Sequence, residues 1–381
     1  MHLLGGAACA QIGLFERVFT EDFDAVPLIG SPTYQLPNAW SPDPPGGWQS
    51  FQIVEPTGGT PEFAGWTFWR DGLWEQVGGG LRPFFDRGRG VVAVADPDLW
   101  NDQLQPGAEP FSYQTLLRTP VIDLSDLHAD TRRLTLGFDT SWQGGCCGEG
   151  GSSESPGNVA AVVRARFGPD STPVELLRWE SAPYFDREGR PTRDPVDDQG
   201  VANRRNPRFQ SLVASDRLFI DLTDLVNGPL LAASDGGAAP AAAASAGSIV
   251  LEFGVEGAGE DAYWAVDNVE VSALAGDPIL GDMYIDGLID ERDIDEFALG
   301  LLDELAYEDA WGGVSPGDRG SPDGVFDYDD IPWFLELVAP HVGGAEAALA
   351  FALAGVPEPG GATLAAAAAL ALALGRGRAA R

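Results

Sequence analysis

Two acidic stretches near the C-terminus combine residue types and spacing that could bind a metal ion. The first has four acids at positions 1, 5, 9 and 12 of a twelve-residue loop: Asp282, Asp286, Asp290 and Asp293. Gly287 at position 6 permits the sharp turn of an EF-hand loop, in which Ca²⁺ takes six to eight oxygen ligands. We therefore expect a calcium site here, with the carbonyl oxygen of Leu288 as the ligand from position 7.

The second stretch repeats this order with one irregularity. Its matching ligands at positions 5, 7, 9 and 12 are Asp323, Val325, Asp327 and Asp330. Position 1, however, is Arg319, and Asp318 lies one residue too early, so that Asp318 can bind only if the loop bulges by one residue. The spacing predicts a second calcium site that is less regular than the first.

Apolar residues with helical spacing follow each loop, which predicts a helical hairpin. Between Asp277 and Glu336 there are 18 acidic residues and two arginines. A hairpin of this charge repels itself without a counter-ion, and we expect Ca²⁺ to fold it by supplying positive charge. The alternative is an acidic, solvated hairpin that holds no metal.

This duplicated loop and helix pattern resembles the dockerin type I domain over residues 277–340. The resemblance implies the ligand roles given above and a cohesin-like protein as partner. Loop positions 10 and 11 contact the partner in that family, and here they are Glu291 with Arg292 and Tyr328 with Asp329. They differ from the small hydroxyl residues of cellulosomal dockerins, which argues against a cellulosomal partner.

Composition excludes several function classes. The net charge of −35 argues against nucleic acid as a partner, because phosphate binding needs Lys and Arg to displace counterions. All 23 basic residues are arginine, which excludes a Schiff-base lysine and a P-loop lysine. Only His128 lies in the predicted folded part, so a multi-histidine zinc site cannot form. We identify no catalytic constellation and predict a protein that is not an enzyme.

Residues 13–275 read as many short β segments separated by Gly, Pro, Asn and Asp turns, which predicts an antiparallel sandwich. The opening FTEDFDAVPL and the closing YWAVDNVEV resemble the first and last strands of galactose-binding and carbohydrate-binding jelly-roll modules. The resemblance implies a structural Ca²⁺ at Glu21, Asp22 and Asp267. The alternative is that these acids cap turns at strand ends.

Three tryptophans close together could stack on sugar rings: Trp66, Trp69 and Trp74. Exposed aromatic rings would give the sandwich a ligand-binding surface. Burial in the sandwich core is the favoured alternative, because large aromatic side chains dominate core energetics.

The two ends carry targeting signals. Residues 1–12 fit the end of a truncated signal peptide, with a small residue on either side of Cys9. Residues 341–355 are predicted to be a linker. The tail 356–381 places Val356, Pro357, Glu358 and Pro359 before an apolar run and terminal arginines. This tail resembles a PEP-CTERM sorting signal, which implies processing by an exosortase-type enzyme, export, and transient membrane contact through the sorting helix only.

Together these observations predict a mainly β protein: a jelly-roll sandwich, a small α-helical pair of EF-hand loops and a C-terminal sorting helix. We expect an exported, non-catalytic surface protein that binds calcium and recognises a partner, with a glycan as one candidate. Two alternatives stay open. One is a polysaccharide-active enzyme, hydrolase or lyase, placed on a scaffold by its dockerin-like part, and the other is a purely structural matrix or envelope protein.

Overall fold

The computed structural model describes residues 15–55, 58–103, 112–127, 131–144, 159–168, 171–181, 184–185, 191–192, 210, 212–223, 225, 247–257, 262–276, 279–322 and 324–354. The chain divides into two compact units. The larger unit comprises Val18–Leu127 and Leu136–Val271, and the smaller comprises Met1–Arg17, His128–Thr135 and Ser272–Arg381.

The described residues form strands β1 (Phe15–Glu21), β2 (Ile29–Ser31), β3 (Leu36–Ser41), β4 (Gln49–Glu55), β5 (Trp66–Arg70), β6 (Val91–Ala95), β7 (Ser112–Arg118), β8 (Ile122–Asp123), β9 (Thr131–Gly144), β10 (Ala160–Phe167), β11 (Val174–Glu180), β12 (Tyr184–Phe185), β13 (Pro191–Thr192), β14 (Leu212–Asp221), β15 (Ser248–Glu256) and β16 (Ala262–Ala275). They also form helices α1 (Asp71–Gly78), α2 (Pro97–Asn101), α3 (Arg292–Leu302), α4 (Glu304–Ala310), α5 (Gly317–Gly320), α6 (Ile331–Val338) and α7 (Ala345–Ala354). Short 3₁₀ turns occupy Pro61–Phe63, Arg82–Phe84 and Tyr328–Asp330.

Two large sheets hold most of the strands. The eight-stranded sheet has the order β14-β9-β16-β6-β5-β3-β2, and β1 pairs with β16. The six-stranded sheet has the order β11-β10-β15-β7-β4, and β8 pairs with β15. The neighbours β10, β15, β7 and β4 run antiparallel throughout. This confirms the prediction of a mainly β chain with antiparallel sheets and some helices.

Aromatic side chains from both sheets share one core in the larger unit. The ring of Phe138 on β9 lies 5.3 Å from that of Phe253 on β15, and Phe253 lies 6.0 Å from Trp264 on β16. All three side chains are fully buried. The odd-numbered residues of central β15 therefore face the eight-stranded sheet, and its even-numbered residues face away, because side chains alternate along a strand.

The smaller unit contains a core of buried apolar side chains, most of them from its helices. Phe297 on α3 stacks on Phe334 on α6 with ring centroids 3.8 Å apart. The buried Tyr307 of α4 donates its hydroxyl hydrogen to the carbonyl oxygen of Met283, at 2.9 Å. This packing explains the helical spacing of the apolar residues in the sequence.

The predicted linker at 341–355 is wrong over most of its length. Residues Ala345–Ala354 form helix α7, whose Leu349 is fully buried in the same helical core. An alanine-rich segment without charge contrast offers no clear amphipathic pattern, so its packing could not be predicted from periodicity. No helix within the described ranges is long and apolar enough to cross a membrane.

Candidate functional site

The first acidic loop has a regular network of hydrogen bonds from the backbone to carboxylates. Asp282 accepts from the backbone N–H groups of Asp286 and Gly287 through its two oxygens, at 3.1 and 3.0 Å. Asp293 accepts from Tyr284 and Asp290, at 2.8 and 2.7 Å. Positions 1 and 12 thus hold the two halves of the loop together, and Gly287 turns with a φ of 82°.

Burial changes the acidity of these two carboxyls. The pKa of Asp293 is raised to about 7, chiefly by burial and to a smaller extent by the neighbouring Asp282 and Asp290. Burial also raises the pKa of Asp282, while the Arg319 guanidinium partly offsets the effect. Both groups therefore need positive charge or hydrogen bonds nearby to stay ionised.

In the second loop, the described residues repeat the later half of this network. Asp330 accepts from the backbone N–H of Asp327 at 3.0 Å, and Asp327 accepts from that of Asp329 at 2.8 Å. Gly324 turns with a φ of 80°, which matches Gly287 in the first loop. Val325 is exposed, and Asp323 lies outside the described residues.

The start of the second loop differs from the predicted one. Asp318 is exposed and lies within the short helix α5, so the bulge that would bring it to position 1 is not formed. Arg319 instead points inward and is 1 % exposed. The reason is helical backbone geometry: neighbouring residues on a helical turn face different directions.

Within the described residues, no group of three or more His, Cys, Asp or Glu side chains is arranged to hold a metal ion. In the first loop the carboxylates of Asp286 and Asp290 are both bound by Arg292. The ligand oxygens that the sequence assigned to Ca²⁺ therefore do not fit the ion in this arrangement.

The acids expected to hold a structural ion in the sandwich have other partners. Glu21 accepts from the backbone N–H of Phe23 at 2.9 Å and from the indole of Trp48 at 3.1 Å. Asp22 accepts from the backbone N–H of Asp24 at 3.1 Å. These contacts are those of turn-capping residues, the alternative given above.

Asp267 is buried and has polar partners of its own. It is 1 % exposed and accepts from the backbone N–H groups of Arg89 and Asn268. Its pKa is raised to about 8, chiefly by burial and to a smaller extent by the acids Asp139 and Asp24. Sequence reasoning missed both, since they lie 128 and 243 residues away along the chain.

The prediction that three tryptophans stack on a sugar is wrong. Trp66, Trp69 and Trp74 are 1 %, 0 % and 0 % exposed. Trp69 stacks on Phe63 at 4.8 Å, and Trp74 donates its indole N–H to Asp96 at 2.9 Å. No ring face is left for a ligand, and the core alternative holds for all three.

A groove that the sequence did not predict crosses the outer face of the six-stranded sheet. The backbone pairs Phe51 with Leu116, Leu116 with Gly254, and Gly254 with Val162, so these four residues lie side by side across β4, β7, β15 and β10. Gly254 has no side chain and leaves a depression between its neighbours. The resulting cleft, which we call the sheet groove, has a volume of about 420 Å³.

One wall of the sheet groove is apolar. Phe51 and Ile53 on β4 are 46 % and 62 % exposed, and Leu116 on β7 continues this wall. The guanidinium carbon of Arg118 lies 4.9 Å from the centre of the Phe51 ring and fixes its orientation. Exposed apolar side chains of this size next to a cleft are typical of a binding surface.

The other wall is polar and held in place by ion pairs. Arg164 and Arg178 both bind Glu256, the latter at 3.0 Å. These contacts lower the pKa of Glu256 although its partial burial alone would raise it. Gln114 adds an amide to the lining. The groove therefore presents orientated donors and acceptors opposite an apolar surface.

No protein-family model and no curated protein matches the chain. Similar solved structures include the adhesin domain of Lys-gingipain from Porphyromonas gingivalis (12 % identity, 68 % of this chain, 99 % of that chain, TM-score 0.30). A carbohydrate-binding module that recognises mannan has 10 % identity over 68 % of this chain and 98 % of its own, with a TM-score of 0.27. A Stig cyclase from Fischerella has 13 % identity over 66 % and 99 %, with a TM-score of 0.29. These likenesses are too distant to assign an activity.

Proposed function

We propose that this chain is an exported, non-catalytic recognition protein whose β-sandwich, of jelly-roll type, binds a carbohydrate in the sheet groove. The observation that carries the proposal is the pairing of an apolar wall at Phe51 and Ile53 with a polar wall at Arg164 and Glu256.

A sugar ring matches both walls. Its C–H face is apolar and can lie on the Phe51 ring, while its hydroxyl groups need donors and acceptors at fixed positions. Arg164 offers N–H donors, Glu256 offers carboxylate oxygens and Gln114 offers both. Hydrogen bonds to charged groups are roughly twice as strong as neutral ones, which suits a shallow and solvated site.

The composition of the groove favours binding over hydrolysis. Glycoside hydrolysis ordinarily uses two carboxyl groups on either side of the scissile bond. Among the lining residues that the structure describes, Glu256 is the only acid, and two arginines hold it ionised. A polysaccharide-active enzyme is thus the less favoured alternative.

A glycan array with the full chain tests this proposal. Gly254→Val fills the floor of the groove. The position accepts a Cβ without strain, since its nearest neighbours, Leu116 Cδ1 and Thr115 O, would lie 3.5 and 3.6 Å away. We expect Gly254→Val to abolish glycan binding while the unfolding temperature stays close to that of the parent.

Gly30→Val on β2 is the matched control. A Cβ there also meets nothing closer than 3.4 Å, and the strand belongs to the other sheet. Equal loss of binding in both variants, or retention in Gly254→Val, would contradict the assignment. A chain that binds no glycan at all would favour the structural alternative.

Export is proposed from the tail. Residues Val356 to Pro359 and the apolar run after them lie outside the described residues, and the support is the sorting-signal pattern in the sequence. Intact-mass spectrometry of the protein from the cell surface should find a chain that ends near Pro359. A surface protein that retains Arg381 would argue against exosortase processing.

The hairpin is the proposed coupling element, with a cohesin-like protein as its partner. Support comes from the two loops with matching glycine turns and matching hydrogen bonds at positions 9 and 12. Pull-down of a cohesin-like protein with the full chain and with a Glu291→Ala, Tyr328→Ala variant, which changes the exposed position 10 of each loop, tests the role. We expect the variant to lose binding, and equal capture by both chains would contradict the role.

A further inference from the structure

Arg292, itself a residue of the first loop, bridges two of the acids in that loop. Its guanidinium binds Asp286 and Asp290 together, and its Nε lies 3.2 Å from each oxygen of Asp290. The group also lies over the Tyr284 ring, 4.6 Å from the centroid. Tyr284 occupies position 3, where a calcium loop has an oxygen ligand. Here that position supports an arginine instead.

Arg319 provides a second cation from the other loop. It is 1 % exposed, and its Nη1 lies 3.3 Å from a carboxylate oxygen of Asp282 and 3.4 Å from the carbonyl oxygen of the same residue. Asp282 is itself fully buried. The residue that stands at position 1 of the second loop therefore binds position 1 of the first loop.

These contacts offset two of the four negative charges that the ligand carboxylates of the first loop carry. Three of its four ligand carboxylates, those of Asp282, Asp286 and Asp290, are paired with a guanidinium. The fourth, Asp293, accepts two backbone N–H groups. A divalent ion would have to displace at least the half-exposed Arg292 before it could reach the carboxylates.

We propose that Arg292 and Arg319 take the place of the calcium ion in the first loop, so that the hairpin is folded in the metal-free chain. The inference concerns the smaller unit and does not depend on glycan binding by the sheet groove. It reverses the expectation that Ca²⁺ folds this hairpin by supplying positive charge.

Hydrogen exchange of the full chain, followed by mass spectrometry, tests the proposal. The amides of Tyr284, Asp286, Gly287 and Asp290 report directly on the loop, because each donates to Asp282 or Asp293. We expect their exchange to be the same in EDTA and in millimolar Ca²⁺. Loss of protection in EDTA would overturn the proposal.

Arg292→Ala separates the role of this arginine from that of the metal. In EDTA we expect these amides to exchange about fivefold faster than in the parent, the effect of losing a solvated ion pair. Ca²⁺ should then restore protection, since the carboxylates are free. Arg292→Lys, which keeps the charge, should lie between. Parent-like exchange of Arg292→Ala in EDTA would refute the role of Arg292.

The test of Arg319 requires a double variant beside the single one, because removing the arginine leaves the buried carboxylate of Asp282 without its cation. We expect Arg319→Met to speed exchange of the loop amides by about a hundredfold or more, since an unpaired buried carboxylate is strongly destabilising. The double variant Asp282→Asn, Arg319→Met removes both charges and should recover much of the protection. A double variant as open as the single one would show that Arg319 is not a counter-charge.

Discussion

At the scale of residues, Arg82 and Asp96 form a buried ion pair that connects α1, the Arg82–Phe84 turn and α2. Arg82 Nη2 lies 2.8 Å from Asp96 Oδ1, and both side chains are almost fully buried. Asp96 also accepts from the Trp74 indole and caps α2 by accepting from the Leu99 N–H. The Arg82 guanidinium lies 4.6 Å from the centre of the Tyr263 ring. The hydrogen bond to Asp96 therefore holds the Trp74 ring in the core, which a sugar-stacking role would not require.

Arg82→Met should lower the free energy of unfolding by about 3–5 kcal/mol, because it leaves Asp96 charged and unpaired in the core. Urea denaturation followed by tryptophan fluorescence measures the change. Arg70→Met is the matched control, since Arg70 is exposed at the end of β5 and should change stability by about 0.5 kcal/mol or less. Equal effects of the two substitutions would contradict the role of the buried pair.

Asp71 should make stability fall as pH rises. Its pKa is raised to about 7, chiefly by burial and also by the nearby Glu75. One of its oxygens is buried without a hydrogen-bond partner. The pKa of Asp71 in the unfolded chain is about 3.9. At pH values between this pKa and the higher pKa of the folded chain, the folded state binds one proton more than the unfolded state. The stability due to Asp71 is thus complete below the unfolded pKa and is lost as pH rises through about 7.

Asp71→Asn should remove this part of the pH dependence and raise the unfolding temperature at pH 8. Thermal unfolding of the parent and the variant between pH 5 and 8 gives two curves of unfolding temperature against pH. Their difference isolates Asp71, because the other titrating groups contribute equally to both curves. Parallel curves would show that Asp71 ionises normally in the folded chain.

At the scale of elements, the six-stranded sheet builds a binding surface from strands that are far apart in the sequence. Phe51, Leu116, Gly254 and Val162 come from β4, β7, β15 and β10. Each strand by itself has an unremarkable alternation of side chains. The register of these strands places the exposed Phe51 ring, the side-chain-free Gly254 and the ion pairs of Glu256 next to one another. This placement supports the glycan proposal.

Helix α7 is an integral part of the helical core of the smaller unit. Leu349→Ala should therefore cost about 2–5 kcal/mol of stability, since it removes buried methyl groups and leaves a cavity. The neighbouring Phe351 is 81 % exposed and supplies a control on the same helix. Phe351→Ala should change stability little. Hydrogen exchange of α3 and α6 measures both, and equal effects would indicate that α7 does not pack as described.

At the scale of the whole molecule, charge is the dominant feature. A net charge of −35 on 381 residues disfavours compact states through self-repulsion. The 23 arginines reduce this cost where they are paired, as Arg118 and Arg166 are with the buried Glu252. Such pairs are partly shielded from solvent, whereas most of the acids in the described ranges are not buried.

Raising NaCl should therefore raise the unfolding temperature of the full chain. Salt screens long-range repulsion among exposed acids, while partly buried pairs are screened less. Unfolding followed by circular dichroism at low and high NaCl measures the effect, and KCl at equal ionic strength controls for a specific ion effect. A fall in the unfolding temperature with both salts would mean that attractive ion pairs outweigh the repulsion.

The sequence by itself determined the features that depend on neighbouring residues. Strand composition was sufficient to predict a mainly β chain, and the spacing of acids and glycine was sufficient to locate two loops. Gly287 and Gly324 adopt nearly the same positive φ, because a glycine at a sharp turn is a local requirement. The helical spacing of apolar residues in α3 and α6 was also predictable, because it depends on residues only three or four positions apart.

The tertiary structure alone decided where distant residues meet. Whether Trp66 is a ligand platform or a core residue depends on which strand covers it, and a period of two does not say which face of a sheet is buried. Arg319 reaches Asp282 across 37 residues and takes the position that spacing assigned to a metal. Such contacts arise from packing between elements, so local pattern predicted the loops but not the cation inside them.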